Sequence, residues 1–361
     1  MYPDPDLTGI PVDASAPVLV TGATGYVAGW LVKGLLDAGV TVHAAVRDPH
    51  NTAKIQHLLD FAEKAPGEIR FFAADLLADG SYGEAMAGCR IVFHTASPFT
   101  SRVEDPQREL VDPAVQGTRT VLRSAGATPS VERVVLTSSC AAIYTDAVDC
   151  ATAPGGRLTE EVWNTTASLD YQPYSYSKTL AERAAWEIAD AQDRWKLVVV
   201  NPSLVIGPST HARPTSESFA IVRQFGDGTL RRGAPRAGLG VVDVRDLARA
   251  HIAAGYLPDV HGRHIVSGHD THVLALAQAL LPRFADRFPL PRRALPKPLV
   301  WLAAPTAGLT RTFVSRNVNV AWRADNGKSR RELGMTYRPI EESMEDMFQQ
   351  LVDHGSVLAP V

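Results

Sequence analysis

The stretch VTGATGYVAGWLV, residues 20–32, decides the fold of this chain. It joins a short β-branched run, residues 18–21, to a segment with apolar residues at helical spacing, residues 26–38. The small residues of the turn are Gly22, Gly25 and Ala28. Small residues let the backbone approach a pyrophosphate, whose charge is stabilised at the N-terminus of the helix. With a strand before it and a helix after it, the turn predicts dinucleotide binding rather than a simple cluster of turn glycines.

Apolar strand patterns alternate with helical patterns as far as residue 202. The predicted strands are residues 18–21, 41–46, 70–73, 91–95, 134–137 and 197–200, and the predicted helices include residues 26–38, 83–87, 109–126 and 174–191. Strands separated by helices form a parallel sheet with helices on its faces. We therefore expect an α/β fold in which residues 18–202 form a doubly wound, Rossmann-type dinucleotide-binding domain.

The composition changes after residue 202, where Pro and Gly become frequent and the alternation loses its regularity. We expect residues 203–361 to form mainly a smaller, mixed substrate-binding lobe, with residues 241–256 returning to the Rossmann domain. Residues 1–17 are expected to be an N-terminal arm, flexible or loosely docked. Later elements are predicted at residues 264–268 (strand), 273–284 (helix) and 341–355 (amphipathic helix).

Composition excludes several classes of protein. The 361 residues are 45% hydrophobic and 21% charged with a net charge of -3, so disordered chains and polyanion-binding surfaces are not expected. No apolar run approaches the ~18 residues that cross a bilayer, and the N-terminal residues lack the pattern of a signal peptide. Three widely spread cysteines predict free thiols. We expect a cytoplasmic protein that binds neither nucleic acid nor membrane.

The choice of dinucleotide depends on the end of the second strand. Arg47 ends this strand and Lys54 follows in the next helix, so two cations can bind the 2′-phosphate of NADP. Alternatively both are solvated surface charges, and Asp48 is a helix cap or a ribose ligand. Asp75 and Leu76 follow the third strand and are predicted to hold the adenine, unless Asp75 only caps the following turn. The pattern favours NADP(H).

A tyrosine and a lysine four residues apart, Tyr174 and Lys178, share one face of a predicted helix. Carbonyl reduction needs a proton donor, and a nearby cation lowers the pKa of a phenol whose reference value is ~10. Lys178 can supply that charge and bind the nicotinamide ribose, while Ser139, after an earlier strand, donates to the developing oxyanion. Such a pair also occurs by chance on exposed helices. The competing residues are Tyr171 and Tyr176 for the tyrosine, and Ser138 and Cys140 for the serine.

These residues resemble the extended short-chain dehydrogenase/reductases of the NAD-dependent epimerase/dehydratase superfamily. Within them, the chain is similar to the branch of dihydroflavonol 4-reductases, cinnamoyl-CoA reductases and microbial aldehyde or ketone reductases. The motifs are VTGATGYVAGWLV, VRDP with Lys54, HTASP, TSS with Ser139, YSYSKTLAE, NPSLVIGP, VVDVRDLARAHI and DNGKSRRELGMTYRPIEES. The resemblance implies a catalytic Ser139, Tyr174 and Lys178. The sequence motifs and the resemblance together indicate a set of cofactor-binding residues. These are Thr21, Gly22, Thr24, Gly25, Tyr26, Val27, Arg47, Lys54, Asp75, Leu76, Thr95, Ala96, Ser97, Thr137, Tyr174, Lys178, Pro202 and Leu204.

Two departures from the family pattern concern the substrate. Tyr144 stands five residues after the expected catalytic serine, where dihydroflavonol reductases have Asn. YQPYSYSK replaces the NWYCY of cinnamoyl-CoA reductases. Neither a flavonoid nor a CoA ester is therefore implied, and an apolar cleft remains. Its expected substrate contacts are Phe99, Ser139, Tyr144, His211 and Phe219, although packing in the core or in a lid is the favoured alternative for the aromatic residues and His211.

Four histidines fall within twelve residues, HGRHIVSGHDTH, and their two HxxH pairs invite a metal hypothesis. The segment is predicted as turn, strand and turn, which points the imidazoles in different directions, and only Asp270 could complete a ligand set. We expect surface or strand histidines and no metal.

The sequence predicts NADPH-dependent reduction of an aldehyde or ketone carrying an apolar or aromatic group. The alternatives are an NAD-dependent sugar-nucleotide epimerase or dehydratase, and a non-catalytic NADP-binding sensor. Arg47 argues against the first, and an intact Ser139, Tyr174 and Lys178 against the second. A monomer or a homodimer is expected, with residues 109–126 and 174–191 as a possible dimer face.

Overall fold

The computed structural model describes residues 2–97, 103–211 and 216–358. Its strands are β1 (Val18–Thr21), β2 (Val42–Val46), β3 (Ile69–Ala73), β4 (Ile91–His94), β5 (Arg133–Thr137), β6 (Lys196–Pro202), β7 (Leu204–Ile206), β8 (Gly238–Asp243), β9 (Gly262–Val266) and β10 (His269–His272). Its α-helices are α1 (Tyr26–Asp37), α2 (Thr52–Ala62), α3 (Gly83–Met86), α4 (Asp112–Ala127), α5 (Asp149–Thr152), α6 (Pro173–Asp190), α7 (Glu217–Gly226), α8 (Val244–Tyr256), α9 (Val273–Ala279), α10 (Leu281–Phe284), α11 (Lys297–Ala303), α12 (Arg311–Asn317), α13 (Gly327–Glu332) and α14 (Ile340–Asp353).

Seven parallel strands form the central sheet in the order β3-β2-β1-β4-β5-β6-β9. One face packs against α1 and α8, and the other packs against α4 and α6. Because both faces are covered, β1, β2 and β4 are buried along their whole length. The strand order reverses between β1 and β4, and such a reversal opens a crevice beyond the carboxyl ends of the strands. The predicted doubly wound fold is confirmed.

The second sheet is small and mixed, with the order β10-β8-β7. β7 and β8 are parallel, whereas β8 and β10 are antiparallel. Helices α7, α9 and α14 cover it with a separate apolar core that includes Phe225, Phe284 and Phe348. This lobe stands where the sequence predicts a substrate-binding part, and that role remains a prediction.

The return of the chain to the main sheet differs in detail from the expectation. Of residues 241–256, α8 packs on the Rossmann layer, whereas residues 241–243 belong to β8 in the small sheet, although Val242 also packs into the main core. The chain returns again at β9, where Val200 pairs with His264 at the sheet edge. β9 is buried and ends in apolar residues. It forms the last strand of the main sheet, beside β6.

Two predicted helices are interrupted, each beside a proline. The helix expected over residues 109–126 starts as a π-helix, Gln107–Val111, and only then continues as α4, because Pro113 has no N–H for a regular hydrogen bond. The helix expected over residues 273–284 is divided into α9 and α10 at Leu280, before Pro282.

The N-terminal arm is docked along the main domain. Of the two expected alternatives, a flexible arm and a loosely docked arm, the structure has the docked one. Asp4 forms an ion pair with Lys33 of α1 at 2.6 Å, and the Tyr2 hydroxyl donates to the carbonyl of Asp346 in α14 at 3.2 Å. Arg249 of α8 donates to the carbonyl of Thr8 at 3.2 Å. The arm thus connects three helices that are distant in sequence. Across the described ranges, no helix is long and apolar enough to span a membrane.

Candidate active site

The turn between β1 and α1 has a backbone that only small residues fit. Gly22 has a φ of +64°, and a Cβ added there would lie 2.9 Å from the Cα of Ala96. The N–H of Gly25 donates to the carbonyl of Gly22 at 2.8 Å, and α1 begins without a side-chain cap. Thr24 and Val27 are half-buried in this turn and in the first turn of α1. An uncapped helix N-terminus after a tight turn fits a pyrophosphate.

Thr21 connects the turn to the loop after β4. Its hydroxyl accepts from the N–H of Ala96 at 3.1 Å and lies 2.9 Å from Nδ1 of His94, to which it can donate its proton. Thr95 donates in turn to the carbonyl of Thr21 at 2.5 Å. Burial, together with the charge of Lys178, lowers the pKa of His94 to about 3, so this imidazole is neutral. Thr21 and Thr95 therefore connect the turn after β1 to the loop after β4.

Tyr26 joins α1 to the smaller lobe. Its hydroxyl donates to the carbonyl of Gly207 at 2.5 Å, and its ring meets Phe219 edge-on at 5.4 Å between centroids. Leu204 packs on the same apolar cluster, and Pro202, buried at the end of β6, precedes it. Tyr26, Pro202 and Leu204, which are predicted to bind the cofactor, therefore lie where the main sheet meets the smaller lobe.

Arg47 and Lys54 are both exposed, at the end of β2 and in the first turn of α2. Among the residues that the structure describes, neither side chain has an ion pair or hydrogen bond. Asp48 points to its own turn, because its Oδ1 accepts from the N–H of His50 at 2.9 Å. Two unpaired cations at this strand end fit a phosphate group.

Asp75 and Leu76 follow β3. Oδ1 of Asp75 accepts from the N–H of Leu77 at 2.9 Å, so the carboxylate stabilises its own turn as the alternative interpretation expected. Leu76 packs against Gly117 of α4, where an added Cβ would lie 3.1 Å from the Cβ of Leu76. Leu76 also lines the small cavity that contains Lys178.

Tyr174 and Lys178 stand one turn apart on α6, with Ser139 facing them from the end of β5. Tyr174 is 41% exposed. Its pKa is raised to about 12, first by desolvation and then by the charge of Glu217, whereas a hydrogen bond with Ser139 lowers it. The Ser139 oxygen also accepts from the N–H of Ala141 at 3.1 Å. Tyr174 thus keeps its proton at neutral pH, beside a hydroxyl that can share the same substrate oxygen.

The side chain of Lys178 lies near the ring of Tyr174. Its Nζ donates to the Ser97 hydroxyl at 2.9 Å and lies 5.7 Å from the centre of the Tyr174 ring. Burial lowers the pKa of Lys178 to about 8, and the carboxylate of Glu182 opposes that shift. A small cavity beside the ammonium is lined by His94, Ser97, Thr118, Thr137, Ser138 and Glu182, among others.

Three of the neighbours that competed for these roles bind other groups. Ser138 donates to Glu182, the thiol of Cys140 donates to the carbonyl of Asn201 at 3.3 Å, and the hydroxyl of Tyr171 lies 3.0 Å from Asp146. Thr137, expected at the cofactor, lies 2.7 Å from Nε2 of His251.

The predicted substrate contacts do not form one group. Phe99 lies outside the described residues. Tyr144 packs edge-on against Trp322 at 5.6 Å, and Phe219 is only 4% exposed in the lobe core. His211 faces His57 of α2 at 5.3 Å between ring centres. Tyr144 and Phe219 thus pack in the protein interior, as the alternative interpretation expects. The ring of His211 contacts His57 of α2.

The four clustered histidines have four separate partners. His261 lies against the carbonyl of Asp259, His264 against Glu332, His269 against the carbonyl of Arg338, and His272 caps α9. Within the described part of the chain, no three His, Cys, Asp or Glu side chains are grouped as metal ligands.

Sequence reasoning missed a buried polar network beneath Ser139 and Lys178. Its members are Ser138, Glu182, Asn201 and Arg263. Two of them carried a signal, because Asn201 interrupts an apolar strand and Glu182 lies one helical turn after Lys178. Arg263 lies 81 residues from Glu182, and nothing local connects the two.

A family model agrees with the geometry of the crevice. The model described as the NAD dependent epimerase/dehydratase family matches residues 18–268. The chain belongs to this family. Within it, the chain is an extended short-chain dehydrogenase/reductase of the dihydroflavonol and cinnamoyl-CoA reductase branch, as the sequence predicts.

Similar relatives in this family are plant reductases. The chain is 40% identical over 274 residues to cinnamoyl-CoA reductase CAD2 of Medicago truncatula, covering 73% of this chain and 81% of the relative. It is 34% identical over 345 residues to tetraketide alpha-pyrone reductase 1 of Arabidopsis thaliana, covering 95% and 97%. Among solved structures, Gre2 of Candida albicans in complex with NADPH has a TM-score of 0.75 and 28% identity, covering 94% of this chain and 99% of Gre2.

Proposed function

We propose that this protein reduces an aldehyde or ketone with an apolar or aromatic group to the alcohol, using NADPH. The observation that carries the proposal is the meeting of Tyr174, Ser139 and Lys178 at the carboxyl edge of the sheet, beside the uncapped N-terminus of α1. NADP(H) is the cofactor: the family is NAD(P)-dependent, and Gre2 structures were solved with NADPH. The enzyme class is therefore an NADP-dependent oxidoreductase.

The described residues fit that cofactor along the whole crevice. The turn at Gly22 leaves room for a pyrophosphate where a Cβ would collide with Ala96. Arg47 and Lys54 supply unpaired positive charge for a 2′-phosphate. When bound, the cofactor supplies a hydride for the carbonyl carbon.

The chain's own residues supply the proton and hold the oxygen. The raised pKa of Tyr174, about 12, keeps its proton in place until the carbonyl oxygen gains charge. The Ser139 hydroxyl donates to the same oxygen, and its hydrogen bond with Tyr174 favours the phenolate that forms. The ammonium of Lys178, near the Tyr174 ring, stabilises that phenolate further. The carbonyl carbon gains the hydride, the oxygen gains the proton of Tyr174, and the alcohol leaves.

The test is NADPH oxidation followed at 340 nm with aromatic aldehydes, keto esters and cinnamoyl and flavonoid ketones. Tyr174→Phe is expected to lower kcat by about 10²–10⁴-fold, because the general acid is lost. NADPH binding, followed by fluorescence, should remain. Tyr176→Phe, two residues along α6, is the matched control and should keep its turnover. Undiminished turnover in Tyr174→Phe would overturn the assigned acid, and NADPH binding without turnover of any carbonyl would overturn the reductase.

A further inference from the structure

We infer that Glu182 is a positioning residue, which fixes Ser139 and keeps Lys178 in its cationic form for the proposed reduction. The inference rests on the proposed function, since it assigns Glu182 a task in that same site. Glu182 is buried, and its described hydrogen bonds all go to groups of the protein itself.

Glu182 is a buried acceptor shared by three strands. The residue is 1% exposed and lies one helical turn after Lys178 on α6. Its Oε2 accepts from the hydroxyl of Ser138 and from Nδ2 of Asn201, the latter at 2.8 Å. Its Oε1 accepts from Nε of Arg263 at 2.5 Å. One carboxylate therefore ties α6 to the end of β5, to β6 and to β9.

These bonds fix the backbone at Ser139. Ser138 is its direct neighbour, and Nδ2 of Asn201 also donates to the carbonyl of Ser139 at 3.2 Å. The thiol of Cys140, on the other side, donates to the carbonyl of Asn201 at 3.3 Å. The peptide units around Ser139 are thus anchored before and after it, which leaves its hydroxyl pointing at Tyr174.

The same carboxylate lines the small cavity that also contains the ammonium of Lys178. The groups around Lys178 are His94 from β4, Ser97 from the following loop, Tyr174 and Glu182 from α6, and beyond Glu182 the guanidinium of Arg263. His94 is neutral. Among the described residues that line the cavity, Glu182 is the one carboxylate. A buried ammonium stays charged only where an anion offsets its lost hydration.

Arg263 raises the alternative that the carboxylate serves only as its counter-ion. Arg263 is 6% exposed, its guanidinium stacks on Trp163 at 4.0 Å, and its Nη1 donates to the carbonyls of Glu160 and Val162. Removing both charges of a buried ion pair avoids the large cost of removing one, which leaves the other charge buried and uncompensated. Replacing both charges therefore separates the two roles.

The experiment compares Glu182→Gln, the double variant Glu182→Gln with Arg263→Gln, and the control Glu187→Gln. Glu187 lies on the same helix, with its side chain 71% exposed. The protonation of Lys178 is measured in the protein without cofactor, by trace acetylation at a series of pH values and mass spectrometry of the lysine peptide. Thermal melting and the pH profile of kcat are measured beside it.

Both Glu182 variants are expected to acetylate Lys178 with a midpoint about one pH unit lower, because the anion that favours the ammonium is gone. Their kcat at pH 8 should fall by about fivefold or more, and the alkaline decline of kcat should move to lower pH. Glu187→Gln should match the wild type in all three measurements.

A double variant with the wild-type midpoint and wild-type kcat would overturn the inference and leave Glu182 as the counter-ion of Arg263. If the single variant does not fold, the double variant carries the test, since it does not leave the guanidinium of Arg263 buried without its carboxylate partner. The acetylation midpoint needs no substrate, so failure of the reductase proposal shows separately, in Tyr174→Phe.

Discussion

Single residues at the end of β5 show how neighbouring side chains take different tasks. Ser138 and Cys140 point into the protein and bind Glu182 and the carbonyl of Asn201, while Ser139 between them meets Tyr174. Consecutive side chains of an extended segment point to opposite sides. The TSS motif therefore offers one hydroxyl to the cleft and one to the core, a distinction that composition alone does not make.

Arg47 is the residue whose removal tests the choice of cofactor. Arg47→Ala is expected to raise the KM for NADPH by about tenfold or more, because a charge-assisted contact to the 2′-phosphate is lost. The KM for NADH, which lacks that phosphate, should change little. The measurement is kcat/KM with both cofactors.

Lys64→Ala, at an exposed lysine beyond the end of α2, controls for the general loss of one positive charge. An equal change for NADPH and NADH in Arg47→Ala would show that Arg47 does not read the phosphate.

At the scale of elements, the turn at Gly22 combines two demands on one residue, a positive φ and close contact with the loop after β4. Gly39 has a φ of +82° but no atom within 4 Å of an added Cβ. Both Gly→Ala variants should lose about 1–2 kcal/mol of folding free energy, because both force a left-handed conformation on alanine. Gly22→Ala should lose more than Gly39→Ala, because its Cβ would also collide with Ala96. Only Gly22→Ala should also weaken NADPH binding, measured by fluorescence titration. Equal binding in the two variants would mean that contact with Ala96 does not shape the cofactor turn.

Elements with a local signal could be predicted, and elements that depend on distant partners could not. The first strand, turn and helix follow from periodicity and from the glycines, and the structure has them at Val18–Thr21 and Tyr26–Asp37. The π-helix before α4 and the break at Leu280 follow from proline, whose effect on a helix depends on how its neighbours pack. The place of β9 at the edge of the main sheet depends on β6, which is remote in sequence.

The same limit applies to the site. Tyr174 and Lys178 have a spacing that sequence reasoning can recognise, and Ser139 follows a strand. Arg263 becomes part of this region only through the sheet, because β9 pairs with β6. The aromatic residues expected at the substrate could not be placed, since the same apolar side chains build the lobe core.

At the scale of the whole molecule, the N-terminal arm stabilises the packing of α1, α8 and α14. Leu7, Ile10 and Val12 of the arm are partly buried against the main core, and Asp13 pairs with Arg90 at 2.5 Å. Removing residues 2–14 exposes this apolar surface, which contributes more than ion pairs of the kind formed by exposed side chains. The melting temperature should fall by about 5 °C or more.

Asp13→Asn, which removes one exposed ion pair and keeps the apolar contacts, should change the melting temperature by no more than about 2 °C. A truncated protein as stable as the full chain would show that the docked arm adds no net stability.

The place of β9 also determines the order in which the molecule can be completed. A ribosome makes about 5–20 residues per second, so β9 emerges several seconds after β6, with the first part of the smaller lobe between them. Until then β6 is an open edge, and Glu182 has no Arg263 to neutralise it. Residues 18–202 expressed alone would keep both defects permanently. The dinucleotide-binding part of this enzyme is therefore not a module that can be cut out at residue 202, and its last strand has to be supplied by chain made later.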